Sequence, residues 1–246
     1  MAFTVLALPR SGTTSLASIF QGFKSRNEYM EELSVKKFTD YRLDMHHRST
    51  EYVAKFIKDR WTSADMFIDS SSFNFLVKDE IVATMPGMKF IRLIRPLPQW
   101  IESFLKMLSY YSNIFRQSQT TPPLWMSRYG CIYAPSFLWE TVDSIAAGCL
   151  GPKELLLIDE FSNSWRNYNL KLFQDNDSVT YLDLCTSTLS ASLPQLASFT
   201  QLPLSRLSLN THVNKARVYG PYLPGSIYET LSAINDATFA EIAMPC

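Results

Sequence analysis

The chain is poor in cysteine and histidine and carries no excess of charge of either sign. Its four cysteines, Cys131, Cys149, Cys185 and Cys246, are far apart and form no Cys-x-x-Cys pair. That spacing suggests neither a disulfide framework nor a zinc site, and the thiols read as buried or idle. Lys plus Arg number 23 and Asp plus Glu number 23, so the formal charge is zero. This argues against a nucleic-acid binder held by bulk charge, while leaving room for a local basic pocket. No run of about 18 uncharged apolar residues occurs, so no membrane span is expected. The stretch Met1 to Arg10 is too short and too uncharged at its start for a signal peptide. A cytoplasmic protein is therefore expected. What is plentiful is apolar: 46% of the 246 residues are hydrophobic, with 16 Phe, 12 Tyr and 5 Trp. That is enough for one substantial core and excludes disorder.

Short apolar runs alternate with longer amphipathic stretches, the pattern of a parallel sheet flanked by helices, and so of an α/β fold. Strands are expected at Phe3 to Leu8, Met66 to Asp69, Lys89 to Ile94, Glu154 to Ile158 and Val179 to Leu184, with a shorter one near Arg26 to Met30. Helices are expected at Gly12 to Gly22, Thr50 to Trp61, Phe73 to Thr84, Leu97 to Phe115, Ser136 to Ala147 and Phe161 to Phe173. Residues 117–135, rich in Pro, Thr, Ser and aromatics, read as a long loop or lid rather than a linker. A single domain over residues 1–246 is the economical expectation.

The most informative stretch is Ala7-Leu8-Pro9-Arg10-Ser11-Gly12-Thr13-Thr14-Ser15-Leu16. It follows a strand and opens a helix, so backbone N–H groups converge where the helix dipole is positive. Gly12 lets a ligand approach the backbone, Ser11, Thr13 and Thr14 add hydroxyls, and Arg10 adds a fixed cation. Together they form a cradle for a phosphate or sulfate ester. It is not a Walker A loop, which needs two glycines four residues apart followed by Lys.

Pro9 to Thr14 resembles the 5′-phosphosulfate-binding loop of sulfotransferases that use 3′-phosphoadenosine 5′-phosphosulfate. The resemblance implies a P-loop NTPase-like sulfotransferase fold. It also implies that Arg10, Ser11, Gly12, Thr13 and Thr14 hold the 5′-phosphate, and that Arg10 neutralises the bridging oxygen as the sulfuryl group leaves. Many cytosolic members have Trp directly after the two threonines. Ser15 stands there in this chain, so an adenine platform is expected elsewhere. A second match is a strand, Lys89 to Ile94, ending in Arg95, with Ser103 eight residues later. In the family this pair binds the 3′-phosphate, and a guanidinium fork with a hydroxyl suits that group. The family usually has Pro two residues after the Arg, whereas here Pro96 and Pro98 flank that position. A weaker third match is the late basic loop Asn210 to Gly220, in which Lys215 and Arg217 would close over the nucleotide.

Sulfuryl transfer passes through a loose, in-line transition state with charge on the leaving oxygen, so positioning and electrostatics dominate. The chemistry demands no metal. The acceptor, a hydroxyl or amine, needs a general base. By resemblance to carbohydrate and several bacterial members, which use a Glu just beyond the second strand, Glu28 is the first choice. In cytosolic members a His follows the next strand. Phe67 to Ser72 has none, leaving Asp69 to act as base, to bind the acceptor or to cap a helix. His46, His47 and His212 stay open as alternatives. Tyr110, Tyr111, Phe115, Trp125, Tyr129, Tyr133 and Trp139 divide between core and acceptor lining. The carboxylates Glu28, Glu31, Asp40, Asp44 and Asp69 suit a polar or cationic acceptor. The expected partner is a small molecule, with no nucleic acid and no membrane, and homodimerisation stays open. A tailoring enzyme of secondary metabolism fits the size. Two rivals are a nucleotide or small-molecule kinase, which should show a Walker A Lys and a magnesium carboxylate, and a non-catalytic nucleotide-binding protein.

Overall fold

Phe3–Leu6 has four consecutive buried side chains, and a strand buried at every position needs cover on both faces. The computed structural model describes residues 2–26, 30–43, 49–122, 124–174, 179–207 and 223–244, and among them this strand, β1, becomes the centre of a sheet. In chain order there follow α1 (Thr13–Ile19), β2 (Ser25–Arg26), α2 (Glu31–Leu43), α3 (Thr50–Ala64), β3 (Ile68–Asp69), α4 (Lys78–Thr84) and β4 (Lys89–Ile94). The chain continues through α5 (Leu97–Gln117), α6 (Leu124–Tyr133), α7 (Trp139–Ala146), α8 (Pro152–Leu172), β5 (Thr180–Cys185), α9 (Leu193–Thr200) and α10 (Gly225–Glu241). These elements group into two compact units, one ending at Arg95 and resuming at Leu172 through α9, the other holding Pro96 to Lys171 with α10.

The first unit is an α/β layer structure. Its five strands are parallel in the order β2-β3-β1-β4-β5. The chain leaves β1 toward β2 and β3 on one side, then returns to place β4 on the other. The seam between β1 and β4 is thus where the connections reverse, the place at which open α/β sheets bind ligands beyond the carboxyl ends of their strands. One face of the sheet presents Phe3 and Val5 of β1 and Ile91 and Leu93 of β4 to Leu16, Ile19 and Phe20, the period-two alternation of a strand meeting the apolar side of α1. On the other face Arg92 forks onto its cross-strand partner Asp183, with Nε–Oδ1 and Nη2–Oδ2 both 2.6 Å. Its guanidinium lies 4.2 Å from the centre of the Tyr181 ring. Arg92 is thereby committed to holding β4 against β5.

The second unit is helical. Trp100 and Phe104 stack at 4.9 Å on α5, and Tyr133 packs edge-on to Phe104 at 5.1 Å. Tyr133 is fully buried, so this tyrosine belongs to the core. Asn235 of α10 accepts the Leu97 N–H at 2.9 Å, capping the start of α5, whose Pro96 has no side chain able to do so.

Several expectations are corrected. Glu154 to Ile158 lies inside α8, not in a strand. Pro152 sits at the first helical position, and the Glu154 carboxylate accepts the Gly151 N–H at 3.0 Å, half of a capping box. Leu157, Phe161, Trp165 and Leu172 then form a buried helical stripe. The expected loop at 117–135 contains α6. The helix α2 is unanticipated, because Ser34 and Thr39 are buried beside Val35, Phe38 and Tyr41 and break its apolar stripe. Cys131 and Cys149 are free thiols, but Cys185 is disulfide-bonded, against the reading of idle thiols. Among the described residues no helix is long and apolar enough to cross a membrane.

Candidate active site

The loop after β1 is built by two residues with left-handed backbones. Arg10 has φ 64° and Gly12 has φ 87°, flanking Ser11. The Ser11 N–H closes a turn on the Leu8 carbonyl at 3.1 Å, and the Leu16 N–H makes the first helical bond to the Gly12 carbonyl at 2.9 Å. Alternation of hand along such a turn folds successive N–H groups into a concavity that suits an anion. Gly12 occupies the N-cap and supplies no side-chain acceptor to the first turn, where helix amides have no intrahelical partner. The helix is only seven residues long, so the loop amides and Arg10 carry more of the site than the dipole does. Ser11 and Thr13 are buried beneath the loop, while Arg10, Gly12 and Thr14 are half-buried at its accessible side.

Gly12 is required twice over. Its φ disfavours any residue with a Cβ, and a Cβ built there would stand 2.8 Å from Thr186 Cγ2 and 3.7 Å from Leu93 Cδ2. The turn after β5 therefore packs directly against the loop at Gly12, and no sequence motif reveals that Thr186 does so. Gly12→Ala should destabilise the protein by about 1–3 kcal/mol, from the left-handed backbone and the collision. Adding Thr186→Ser removes the colliding methyl and should restore part of that loss. Denaturant midpoints of the single and double variants measure it, and a wild-type midpoint for Gly12→Ala would refute the fit.

Arg95 leaves the carboxyl end of β4 at the level of this loop. The pairing Leu6↔Arg92, carried three residues on, sets Arg95 beside Pro9. Its Nη1 donates to the Arg10 carbonyl at 2.9 Å. Ser103 lies almost two turns into α5, is 9% exposed, and belongs to the second unit.

Asp69, expected as a base, an acceptor ligand or a helix cap, lies in a buried ion pair. It ends β3 with no exposed surface, and Arg60 of α3, itself 2% exposed, grips both its oxygens. Asp69 Oδ1 also accepts the Ser71 N–H at 3.1 Å and the Ser71 hydroxyl at 2.6 Å. Arg60 Nη2 donates to Ser71 Oγ at 2.7 Å, and Arg60 lies 5.1 Å from the centre of the Phe73 ring. Asp69 thus anchors the turn after β3 to α3, with both its oxygens engaged by Arg60 and Oδ1 also by Ser71. The sequence did carry the signal. Val53, Phe56, Ile57, Arg60 and Trp61 share one buried helix face, and an arginine on an apolar stripe demands a buried partner. Glu28, His46, His47, Asp44, Lys215, Arg217 and His212 lie outside the described residues.

A family model described as a sulfotransferase domain matches residues 4–148, more than half of the chain and inclusive of both the loop after β1 and Arg95. No curated protein matches the chain.

Proposed function

Since the chain belongs to the sulfotransferase-domain family, we propose that it moves a sulfuryl group from 3′-phosphoadenosine 5′-phosphosulfate to a hydroxyl or amine of a small molecule. The observation that carries this reading is the conjunction of the left-handed, glycine-dependent loop after β1 with Arg95 at the end of the adjacent strand, astride the seam where the sheet's connections reverse. The alternation of left-handed Arg10 and Gly12 about Ser11 turns the loop's amides toward one side, the geometry that suits a tetrahedral anion.

The donor supplies a sulfuryl group activated as a phosphosulfate anhydride, and the protein's part is to bind and orient it. Amides of the loop and the Arg10 guanidinium hold the 5′-phosphate, and Arg10 offsets negative charge on the oxygen that bridges phosphorus and sulfur as its bond to sulfur breaks. Arg95 recognises the 3′-phosphate. The acceptor's oxygen or nitrogen forms the new bond to sulfur and gives its proton to a base. With Asp69 engaged by Arg60, Glu28, two residues beyond the end of β2, is the base assigned in this reading. The acceptor is a small polar metabolite of the kind that tailoring enzymes modify.

Calorimetric titration with adenosine 3′,5′-bisphosphate and with ADP, both without magnesium, tests the donor site. At least tenfold preference for the bisphosphate is expected, about 1.4 kcal/mol. Equal affinity would remove the 3′-phosphate site, and magnesium-dependent ATP binding in its place would make the protein a kinase.

A further inference from the structure

Arg10 is the residue on which the donor reading most depends, and it is held in a conformation that residues with a Cβ disfavour. Its φ of 64° lies in the left-handed region, where a Cβ crowds the following carbonyl. A non-glycine residue stays there only when its surroundings over-determine it. The Arg10 carbonyl has one such restraint in plain view, the Arg95 Nη1 donor at 2.9 Å. The restraint has a rigid base. Arg95 directly follows β4, and β4 is paired residue for residue with β1 from Phe3↔Lys89 to Leu6↔Arg92, so the donor and the carbonyl hang from adjacent strands of the same ladder.

We infer that Arg95 is a positioning residue for the phosphate loop: it pins the Arg10 peptide in its left-handed turn, so that the loop is formed before the 5′ group arrives. This rests on the donor-binding reading above and adds to it, because a residue serving only the 3′-phosphate would be indifferent to ligands that lack one. The mechanism is a population effect. Without the Arg95 N–H donor, the Arg10 peptide spends part of its time outside the left-handed region, and apparent affinity for any 5′-phosphate falls by the lost fraction of competent loop. The same contact joins the two ends of the nucleotide site through one guanidinium, which has five N–H groups to distribute.

The test uses 5′-AMP, which carries a 5′-phosphate and no 3′-phosphate, beside adenosine 3′,5′-bisphosphate. Calorimetry on the wild type, Arg95→Ala and Arg95→Lys reads both ligands. Arg95→Ala should lose about tenfold in AMP affinity, the scale of a hydrogen bond from a charged donor, and more than that for the bisphosphate. Arg95→Lys, which keeps a charged donor without the fork, should bind AMP to within about threefold of the wild type. Unchanged AMP affinity in Arg95→Ala overturns the inference, and so does a lysine variant as weak as the alanine one. Should Arg95→Ala fail to fold, Arg95→Gln, whose amide is too short to span the gap, takes its place with the same reading. A wild type that binds AMP and bisphosphate equally would defeat the donor reading instead, and the AMP comparison would still report on the loop.

Discussion

Arg10→Ala should lower turnover by about a hundred- to a thousandfold, the range for removing one preorganised charge-stabilising donor from a transition state. The effect is local. Arginine and alanine both carry a Cβ, so the substitution leaves the left-handed backbone of the loop as disfavoured as before, and folding stability should change little. What disappears is the only side-chain cation within the loop from Pro9 to Leu16, which the proposed reaction uses where charge would develop as the sulfur–oxygen bond breaks. Arg10→Lys should keep a larger share of activity, because a point charge survives although the planar fork does not. The measurement is release of adenosine 3′,5′-bisphosphate from the sulfuryl donor in the presence of whichever alcohol or amine stimulates it most in a screen. Retention of wild-type turnover by Arg10→Ala would remove Arg10 from the chemistry.

The second large effect concerns folding. Arg60→Leu should cost about 3–5 kcal/mol of stability, as expected when one partner of a buried ion pair is removed and the other is left uncompensated. Asp69 would then keep the Ser71 N–H and hydroxyl but lose the guanidinium that holds both its oxygens. Asp69→Asn should be destabilising for the mirror-image reason, with Arg60 left facing a neutral amide. Denaturant unfolding of both variants gives the values. If Asp69→Asn instead kept wild-type stability and lost turnover, Asp69 would belong to the reactive set and its role as an anchor would be wrong.

The sequence is most legible where a short motif has one physical solution. The run from Pro9 to Thr14 reads as an anion loop from residue types alone, and the sheet sets Arg95 beside it. A parallel α/β sheet is likewise readable from the buried runs at Phe3 and Lys89. Reading fails where one composition serves two elements. Glu154 to Ile158 is apolar enough for a strand, and only the Pro152 start and the Glu154 cap mark it as helix. The turn after β3 is legible as a polar place beyond a strand, but the sequence does not pair Asp69 with Arg60, which tertiary packing brings to it. Thr186 has no signal at all, since its contact with Gly12 exists only once β5 has joined the sheet.

That last contact bears on how the protein is made. The sheet assembles from strands remote in the chain: Phe3 lies beside Lys89, and Lys89 beside Thr180. Closing loops of that length is entropically slow, and contacts so far apart in sequence delay folding. The loop after β1 touches the turns after β4 and β5 at Arg95 and Thr186, so its final packing is a late product of folding, completed only when the last strand has docked. A nascent chain or a refolding intermediate lacking β5 has the motif without its Thr186 contact, and on the proposed reading nucleotide binding would report the finished sheet rather than the presence of the sequence.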